Sequence, residues 1–369
     1  MTDCRPRIAL LTPHGSTGPR GGVEVFNDHM RRTLGNLEVF AHPRLSPNHL
    51  WNLDRIGLEQ PARALALFRG FLREHRARPF DLVLCNGLSG WPLSFRRLDV
   101  PTVVTYHFTM AGLARHALPF RGDRFTTGTV GAFFDRVAGY GKQVVAVSAR
   151  IRRELEQYYG LHSLVIPNFV DTGRFRGVNR ERARKALGLP EEPIIGLFVG
   201  RAEYAKGFDI LIDVARVIPD HLFLVAGASA QVAEPNVRVL GQVAHERMPL
   251  CYSAADYFFL PSRYEGFNLS LLEALACDCP IVVADAAYPF EEDASRYGHI
   301  VTDPAPQGYV EAIRTVEGKL GTFRPREALS ARHSFEAFQS NWRSLVDRLL
   351  NHGHPHMWQL PNGGGDPAI

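Results

Sequence analysis

Apolar runs of three to six residues recur along this chain, each closed by a turn or by polar residues and most followed by a stretch of helical periodicity. That alternation builds parallel sheets, because two parallel strands need a crossover long enough to hold a helix. The first series comprises residues 8–11, 82–85, 102–105 and 144–147, which end in Pro13-His14-Gly15, Asn86-Gly87, Tyr106-His107 and Ser148. The pattern pauses at Ile166-Pro167-Asn168-Phe169-Val170-Asp171 and at the Arg-rich segment leading to Leu189-Pro190. A second series then runs through 194–199, 222–226, 238–240, 257–260 and 280–284.

At 369 residues and 41.2 kDa the chain is too large for one comfortable core. The two series therefore predict an α/β protein of two Rossmann-like domains with parallel sheets facing across a cleft, divided near residue 170. Residues 1–170 make the first and 171–337 the second. Residues 335–350 carry apolar side chains at Phe335, Phe338, Trp342, Leu345, Val346, Leu349 and Leu350, the spacing of an amphipathic helix. The Gly-, Pro- and His-rich residues 353–369 read as a disordered tail.

Carboxyl ends of parallel strands are where open α/β sheets place ligands, which singles out Asn86 and His107. The richest segment is Ser262-Arg263-Tyr264-Glu265-Gly266-Phe267-Asn268-Leu269-Ser270-Leu271-Leu272-Glu273-Ala274-Leu275-Ala276. Gly266 permits a tight turn, Asn268 suits the N-cap of the following helix, and the first N–H groups, from Leu269, Ser270 and Leu271, make a site for an anion. Glu265 and Glu273 would repel phosphates, so their natural partners are hydroxyls of a sugar or ribose; the alternative is a loop carboxylate and a helix-stabilising glutamate. Upstream, Gly200-Arg201 closes a strand and Lys206-Gly207 opens the helix over 208–217, giving a planar cationic fork and a mobile point charge for an anionic ligand such as a diphosphate; the alternative is a solvated surface pair.

This ordered set resembles the retaining glycosyltransferase family four. It comprises Gly21-Gly22-Val23-Glu24, Val145-Ala146-Val147-Ser148, the 166–171 run, Gly200-Arg201, Lys206-Gly207, Glu265-Gly266-Phe267, Glu273-Ala274-Leu275-Ala276 and Pro280-Ile281-Val282-Val283-Ala284, and it covers the chain from Ile8 to about Leu350. The resemblance implies the GT-B fold, with the first domain binding an acceptor, the second a nucleoside-diphosphate sugar, and the helix of 338–352 returning to the first domain. It implies that Glu265 contacts the donor sugar, Glu273 the ribose, and Arg201 and Lys206 the diphosphate together with the N–H groups of Leu269 and Ser270. Gly266, Phe267 and Asn268 complete the donor site, Gly22 approaches the phosphates, His107 contacts the donor sugar, and Gly227 and Val243 frame the base. The implied reaction moves a hexose-type sugar with retention of configuration, by front-face displacement or through a covalent intermediate on Glu265. No Asp-x-Asp pair stands at a strand end, so neither a metal nor another cofactor is expected. One departure is Asp278, between Cys277 and Cys279, where similar proteins carry glycine.

Other classes compete less well. A GT-B epimerase or phosphorylase shares the architecture, and a non-catalytic sugar-nucleotide binder would not need Arg201, Lys206, Glu265 and Glu273 together. A dehydrogenase would need Gly-x-Gly-x-x-Gly after the first strand, whereas Gly15, Gly18, Gly21 and Gly22 are wrongly spaced. Five scattered cysteines and an opening apolar stretch of only four residues after Arg5 and Arg7 point to a cytoplasmic protein without a disulfide framework or secretory leader. Cys277 and Cys279 read as buried small residues, and His352, His354 and His356 lack the partners of a metal site. Charge is uneven: residues 1–170 hold 22 Lys and Arg against 13 Asp and Glu, whereas 171–369 hold 20 against 25. Arg31, Arg32, Arg73, Arg76, Arg78, Arg96, Arg97, Arg150, Arg152 and Arg153 supply much of the basic excess. These arginines read either as a solvated surface or as a face for an anionic partner, a phosphorylated acceptor or an anionic membrane contacted peripherally; nucleic acid is not expected, since no reader motif is present.

Overall fold

A computed structural model describes residues 6–13, 21–43, 56–96, 98–290, 294–329 and 331–352. Gly15, Gly18, Arg97, His354, His356 and the tail expected to be disordered lie outside the described residues. The chain forms two compact units: 1–114, 120–167 and 336–369 make unit 1, and 115–119 and 168–335 make unit 2.

Unit 1 is built on β1 (Ile8–Thr12), β2 (Leu37–Ala41), β3 (Leu82–Asn86), β4 (Thr102–Tyr106), β5 (Gln143–Ala146) and β6 (Leu164–Val165), all parallel in the order β2-β1-β3-β4-β5-β6. Every residue of β1, β3 and β4 is buried, as expected of strands covered by helices on both faces. The C-terminal helix Phe335–His352 belongs to this unit from Glu336 onward. It packs on helix Gly22–Leu34, where Phe338 and Trp342 lie edge-on to Phe26 at 6.2 and 5.9 Å and Arg343 Nε donates to the Thr33 carbonyl at 3.2 Å.

Unit 2 repeats the plan with β7 (Ile194–Val199), β8 (His221–Ala226), β9 (Val237–Gly241), β10 (Tyr257–Leu260), β11 (Ile281–Ala284) and β12 (Gly298–Val301), in the order β12-β11-β10-β7-β8-β9. Asp256, buried just before β10, clamps its start: it accepts from Arg184 Nη2 at 2.6 Å, Arg180 Nη1 at 2.5 Å and the Ile195 N–H at 2.8 Å. Such a charge is tolerable inside because it is paired and hydrogen-bonded.

Strand order reverses between β1 and β3 in unit 1 and between β7 and β10 in unit 2. At each reversal the following connections depart to opposite faces and leave a crevice beyond the strand ends, where doubly wound sheets bind ligands. Asp278 adopts φ +62° and is the only non-glycine with positive φ among the described residues. The turn therefore keeps its left-handed backbone without glycine, and the Asp278 carboxylate accepts the Arg326 N–H at 3.1 Å. Among the described residues no helix is long and apolar enough to cross a membrane.

Candidate active site

The unit 2 crevice is formed by the ends of β7 and β10, followed by Gly200-Arg201 and by Pro261 to Asn268. Gly207 joins the two: its φ is +70°, and a Cβ there would stand 2.0 Å from the Pro261 carbonyl oxygen. Only glycine lets the chain pass so close to the β10 end before helix Phe208–Val217 begins. That passage delivers Lys206 to Glu265, with Nζ 2.6 Å from Oε1 and side chains 25% and 11% exposed. The Lys206 stem also lies against Gly200, whose Cβ position is 3.6 Å from Cγ and Cδ. Arg201 stands outside this ion pair: its guanidinium is largely exposed and meets Glu203 at 2.7 Å.

Asn268 caps helix Leu269–Ala276, its Oδ1 accepting from the Leu271 N–H at 3.2 Å and the Ser270 hydroxyl at 2.8 Å. Leu271 was expected to offer its N–H to a ligand, but the cap consumes it because N3 is the reach of an Asn side chain at this position. The N–H groups of Leu269 and Ser270 remain as the first donors of the helix. Among the described residues the Asn268 Nδ2 and the fully buried Ser262 hydroxyl find no partner, a cost of about 1–3 kcal/mol apiece unless water or ligand meets them. Gly266 lies between Glu265 and the half-buried Phe267, whose ring packs edge-on to Phe290 at 6.4 Å and beside His333 at 5.9 Å, so that side chain serves the core.

Glu273 sits further along the same helix in a second cluster. Tyr252 donates to its Oε2 at 2.8 Å, and His245 Nε2 stands 3.1 Å from its Oε1. Arg174 Nη1 donates to His245 Nδ1 at 3.1 Å, which places the imidazole proton on Nε2 and makes His245 a donor to the carboxylate. Burial beside Glu273 raises the Tyr252 phenol well above its ordinary value, so it stays a donor too. Val243, two residues before His245, is half-buried against the core. Gly227, at φ +87°, follows β8 beside the Gly200 backbone, and its carbonyl accepts from Gln242 Nε2 at 3.0 Å. Sequence reasoning missed His245, Tyr252 and Arg174; Tyr252 looks like any apolar helix residue, and only the proximity of His245 to Val243 offered a signal.

Gly22 and His107 belong to unit 1. Gly22 opens helix Gly22–Leu34, and a Cβ there would meet nothing within 4 Å among the described residues. The end of the β1/β3 reversal carries a side-chain chain: Asn86 Nδ2 donates to Thr12 Oγ1 at 3.1 Å and Asn27 Oδ1 at 2.9 Å. The Asn86 amide is thereby oriented so that Oδ1 accepts from His107 Nε2 at 3.2 Å, while Phe26 meets the imidazole edge-on at 4.6 Å. Burial lowers His107 to about 4, so it is neutral near pH 7.

Cys277 and Cys279 are buried and unpaired, as are Cys85 and Cys251. Burial pushes the Cys277 thiol up to about 12, the opposite of a reactive thiolate. Among the described residues no three His, Cys, Asp or Glu side chains gather as metal ligands do.

Two family models match: Glycosyltransferase Family 4 over residues 20–174 and Glycosyl transferases group 1 over 179–319. The chain is 30% identical to D-inositol 3-phosphate glycosyltransferase of Geodermatophilus obscurus, across 93% of this chain and 88% of that one. It is 31% identical to the protein of the same name from Segniliparus rotundus, with the same coverage. In fold it is similar to sucrose-phosphate synthase from Thermosynechococcus elongatus (TM-score 0.80, 21% identity, 94% of this chain and 100% of that one). It is also similar to Anabaena Alr3699/HepE solved in complex with UDP-glucose (TM-score 0.72, 19% identity, 93% and 100%). With its two parallel α/β sheets, paired family matches and relatives spanning nearly its whole length, this chain belongs to glycosyltransferase family four and is a glycosyltransferase of the GT-B fold.

Proposed function

We propose that the protein transfers a hexose-type sugar from a nucleoside-diphosphate sugar to a phosphorylated hydroxyl-bearing acceptor, with retention of configuration and without a metal. The observation that carries this reading is the Lys206–Glu265 ion pair at the β7/β10 reversal, a half-buried ammonium and a carboxylate held beside the start of a helix. Unit 2 binds the donor and unit 1 the acceptor. Lys206, Arg201 and the N–H groups of Leu269 and Ser270 receive the diphosphate, and Glu265 contacts the sugar near its reacting carbon. Glu273, aimed by His245 and Tyr252, accepts from the ribose hydroxyls; Gly227 and Val243 flank the base. His107, neutral, takes part as a hydrogen-bonding group at the sugar, and Gly22 lets the diphosphate come close.

In the step itself the anomeric carbon–oxygen bond to the diphosphate breaks as the acceptor oxygen bonds the same face of that carbon. The acceptor proton passes to a leaving phosphate oxygen, and Lys206 with the helix end offsets the charge left behind. Support for the donor class comes from the UDP-glucose bound to the similar Anabaena protein. The phosphorylated acceptor draws support from the relatives' inositol 3-phosphate name and from the basic excess of residues 1–170. The reading extends to a cytoplasmic protein with peripheral contact on an anionic membrane through unit 1.

Thermal-shift titration with UDP-, GDP-, ADP- and dTDP-sugars identifies the donor, since a ligand at 100 times its dissociation constant stabilises by about 2.7 kcal/mol. Lys206→Ala and Glu265→Gln are expected to lower turnover by roughly 10²–10³-fold while the circular dichroism spectrum is kept. Chelation by EDTA should leave turnover unchanged. Variants that turn over like the parent, or hydrolysis and epimerisation of the donor without an acceptor product, would overturn the assignment.

A further inference from the structure

Of the ten large hydrophobic side chains exposed among the described residues, five (Phe95, Phe120, Phe125, Phe133 and Tyr140) lie on unit 1 in or beside one helical stretch. That stretch runs as Arg121–Thr126, a π-helical turn Thr127–Gly131, and Ala132–Gly139. Its inner face is fixed: Gly131, Asp135, Ala138 and Gly139 are buried, and Tyr159 and the Met110 N–H hold the Asp135 carboxylate at 2.9 and 3.0 Å. The outer face presents Arg121, Phe125, Thr129, Phe133, Arg136 and then Tyr140, at the spacing of about four residues that keeps side chains on one side of a helix. Phe125, Phe133 and Tyr140 are 70%, 56% and 72% exposed. Rings continue the patch sideways, since Phe133 touches Phe134 at 5.4 Å, Phe134 touches Trp91 at 4.9 Å, and Trp91 touches Phe95 at 5.9 Å.

Exposed rings of this number have no role in holding the unit together, and a patch of them marks a surface that meets something apolar. Arginines accompany the rings: Arg96, Arg121, Arg124 and Arg136 are all exposed, against exposed Asp99 and Asp123, while Asp135 faces inward. Aromatic rings that reach the acyl boundary, with guanidinium groups at the level of anionic headgroups, match the depth profile of a bilayer surface. The stretch is no candidate span, since Arg121, Asp123, Arg124, Asp135 and Arg136 leave no uncharged run within it longer than residues 125–134.

We propose that the face formed by Phe95 and the 120–140 stretch seats unit 1 on an anionic lipid bilayer, with Phe125, Phe133 and Tyr140 inserted at the headgroup boundary. The inference rests on the peripheral-contact reading given above and supplies its surface; it is independent of the donor site. The complete protein is floated with vesicles of phosphatidylcholine and phosphatidylglycerol in equal parts, and with pure phosphatidylcholine, at low and high salt. Binding to the anionic vesicles that weakens as salt rises is expected. Phe125→Ser with Phe133→Ser should weaken it by at least roughly tenfold. Replacing Arg121, Arg124 and Arg136 together by Ser should weaken it on the order of a hundredfold. All five positions are exposed, so thermal melting and donor thermal shifts should match the parent. If the parent fails to float, membrane contact itself is wrong and the transferase reading stands untouched. If the parent floats but both variants float equally, or if the variants change only the mass of an oligomer in light scattering, this face is not the membrane surface.

Discussion

Two glycines at the family motifs carry different burdens, and the difference predicts separable phenotypes. Gly207 is required by the protein itself, since a Cβ at φ +70° would stand 2.0 Å from the Pro261 carbonyl. Gly207→Ala should cost more than the roughly 1–3 kcal/mol of an unfavourable left-handed residue, and should lower donor affinity as well because it displaces Lys206 from Glu265. Gly22 has no such neighbour and begins a helix, where alanine is the better residue. Gly22→Ala should leave stability unchanged or raise it by up to about 1 kcal/mol, yet weaken binding of the nucleoside-diphosphate sugar. Urea denaturation and donor titration of both variants decide it; tight donor binding by Gly22→Ala would remove that residue from the site. Sequence pattern picked out both glycines but not this distinction, which depends on the Pro261 carbonyl brought near by the fold. The same holds for Asp278, whose left-handed backbone was foreseeable from its chemistry, whereas its bond to the Arg326 N–H, across 48 residues of chain, was not.

At the scale of elements, the buried central strands were the legible ones. β7 and β10 lie where their unbroken apolar runs put them, and β1, β3 and β4 extend one residue beyond theirs. β2, β6 and β12 gave no signal, because these edge strands are half-buried and Leu37-Glu38-Val39-Phe40-Ala41 mixes polar and apolar residues without a run. Helix starts were easier when a side chain did the capping. Asn268, expected at the N-cap, holds that place and accepts two hydrogen bonds. The eight-residue helix it starts carries both the first-turn donors and Glu273, so losing the cap should affect stability and binding together. Asn268→Ala is expected to cost about 1 kcal/mol in denaturant and to reduce donor affinity, while Asn268→Asp should keep the cap and the stability but repel the diphosphate. An aspartate variant that binds donor like the parent would show that no phosphate lies at this helix end. The clustering of His245 and Tyr252 on Glu273 was invisible in sequence, since it needs the short turn His245–Arg247 and the helix Met248–Ala254 to meet a third element.

For the molecule as a whole, two buried groups of unit 1 pull its pH dependence in opposite directions. Asp135 is buried, which raises its carboxyl from 3.8 to about 7 despite the N–H and hydroxyl donated to it. Between those values the folded chain keeps a proton that the unfolded chain releases, so this group's stabilisation is present below pH 3.8 and lost as pH rises through 7. His107 is lowered from 6.5 to about 4 by burial, so here the unfolded chain binds the extra proton and stability is lost as pH falls from 6.5 towards 4. Each effect amounts to on the order of 3 kcal/mol at full extent, and their windows overlap, so in the parent they largely cancel between pH 4.5 and 6.5. Asp135→Asn keeps an acceptor for Met110 and Tyr159 but removes the falling branch; relative to the parent its stability should climb by about 2 kcal/mol from pH 4.5 to 6.5. His107→Gln keeps a donor for Asn86 and removes the rising branch, so relative to the parent it should decline by a similar amount. Tryptophan fluorescence reads this unit alone, because Trp91 and Trp342 lie in unit 1 and residues 115–119 and 168–335 contain no tryptophan. Urea midpoints of both variants that shift with pH in parallel with the parent would mean that neither group carries the burial its position gives it.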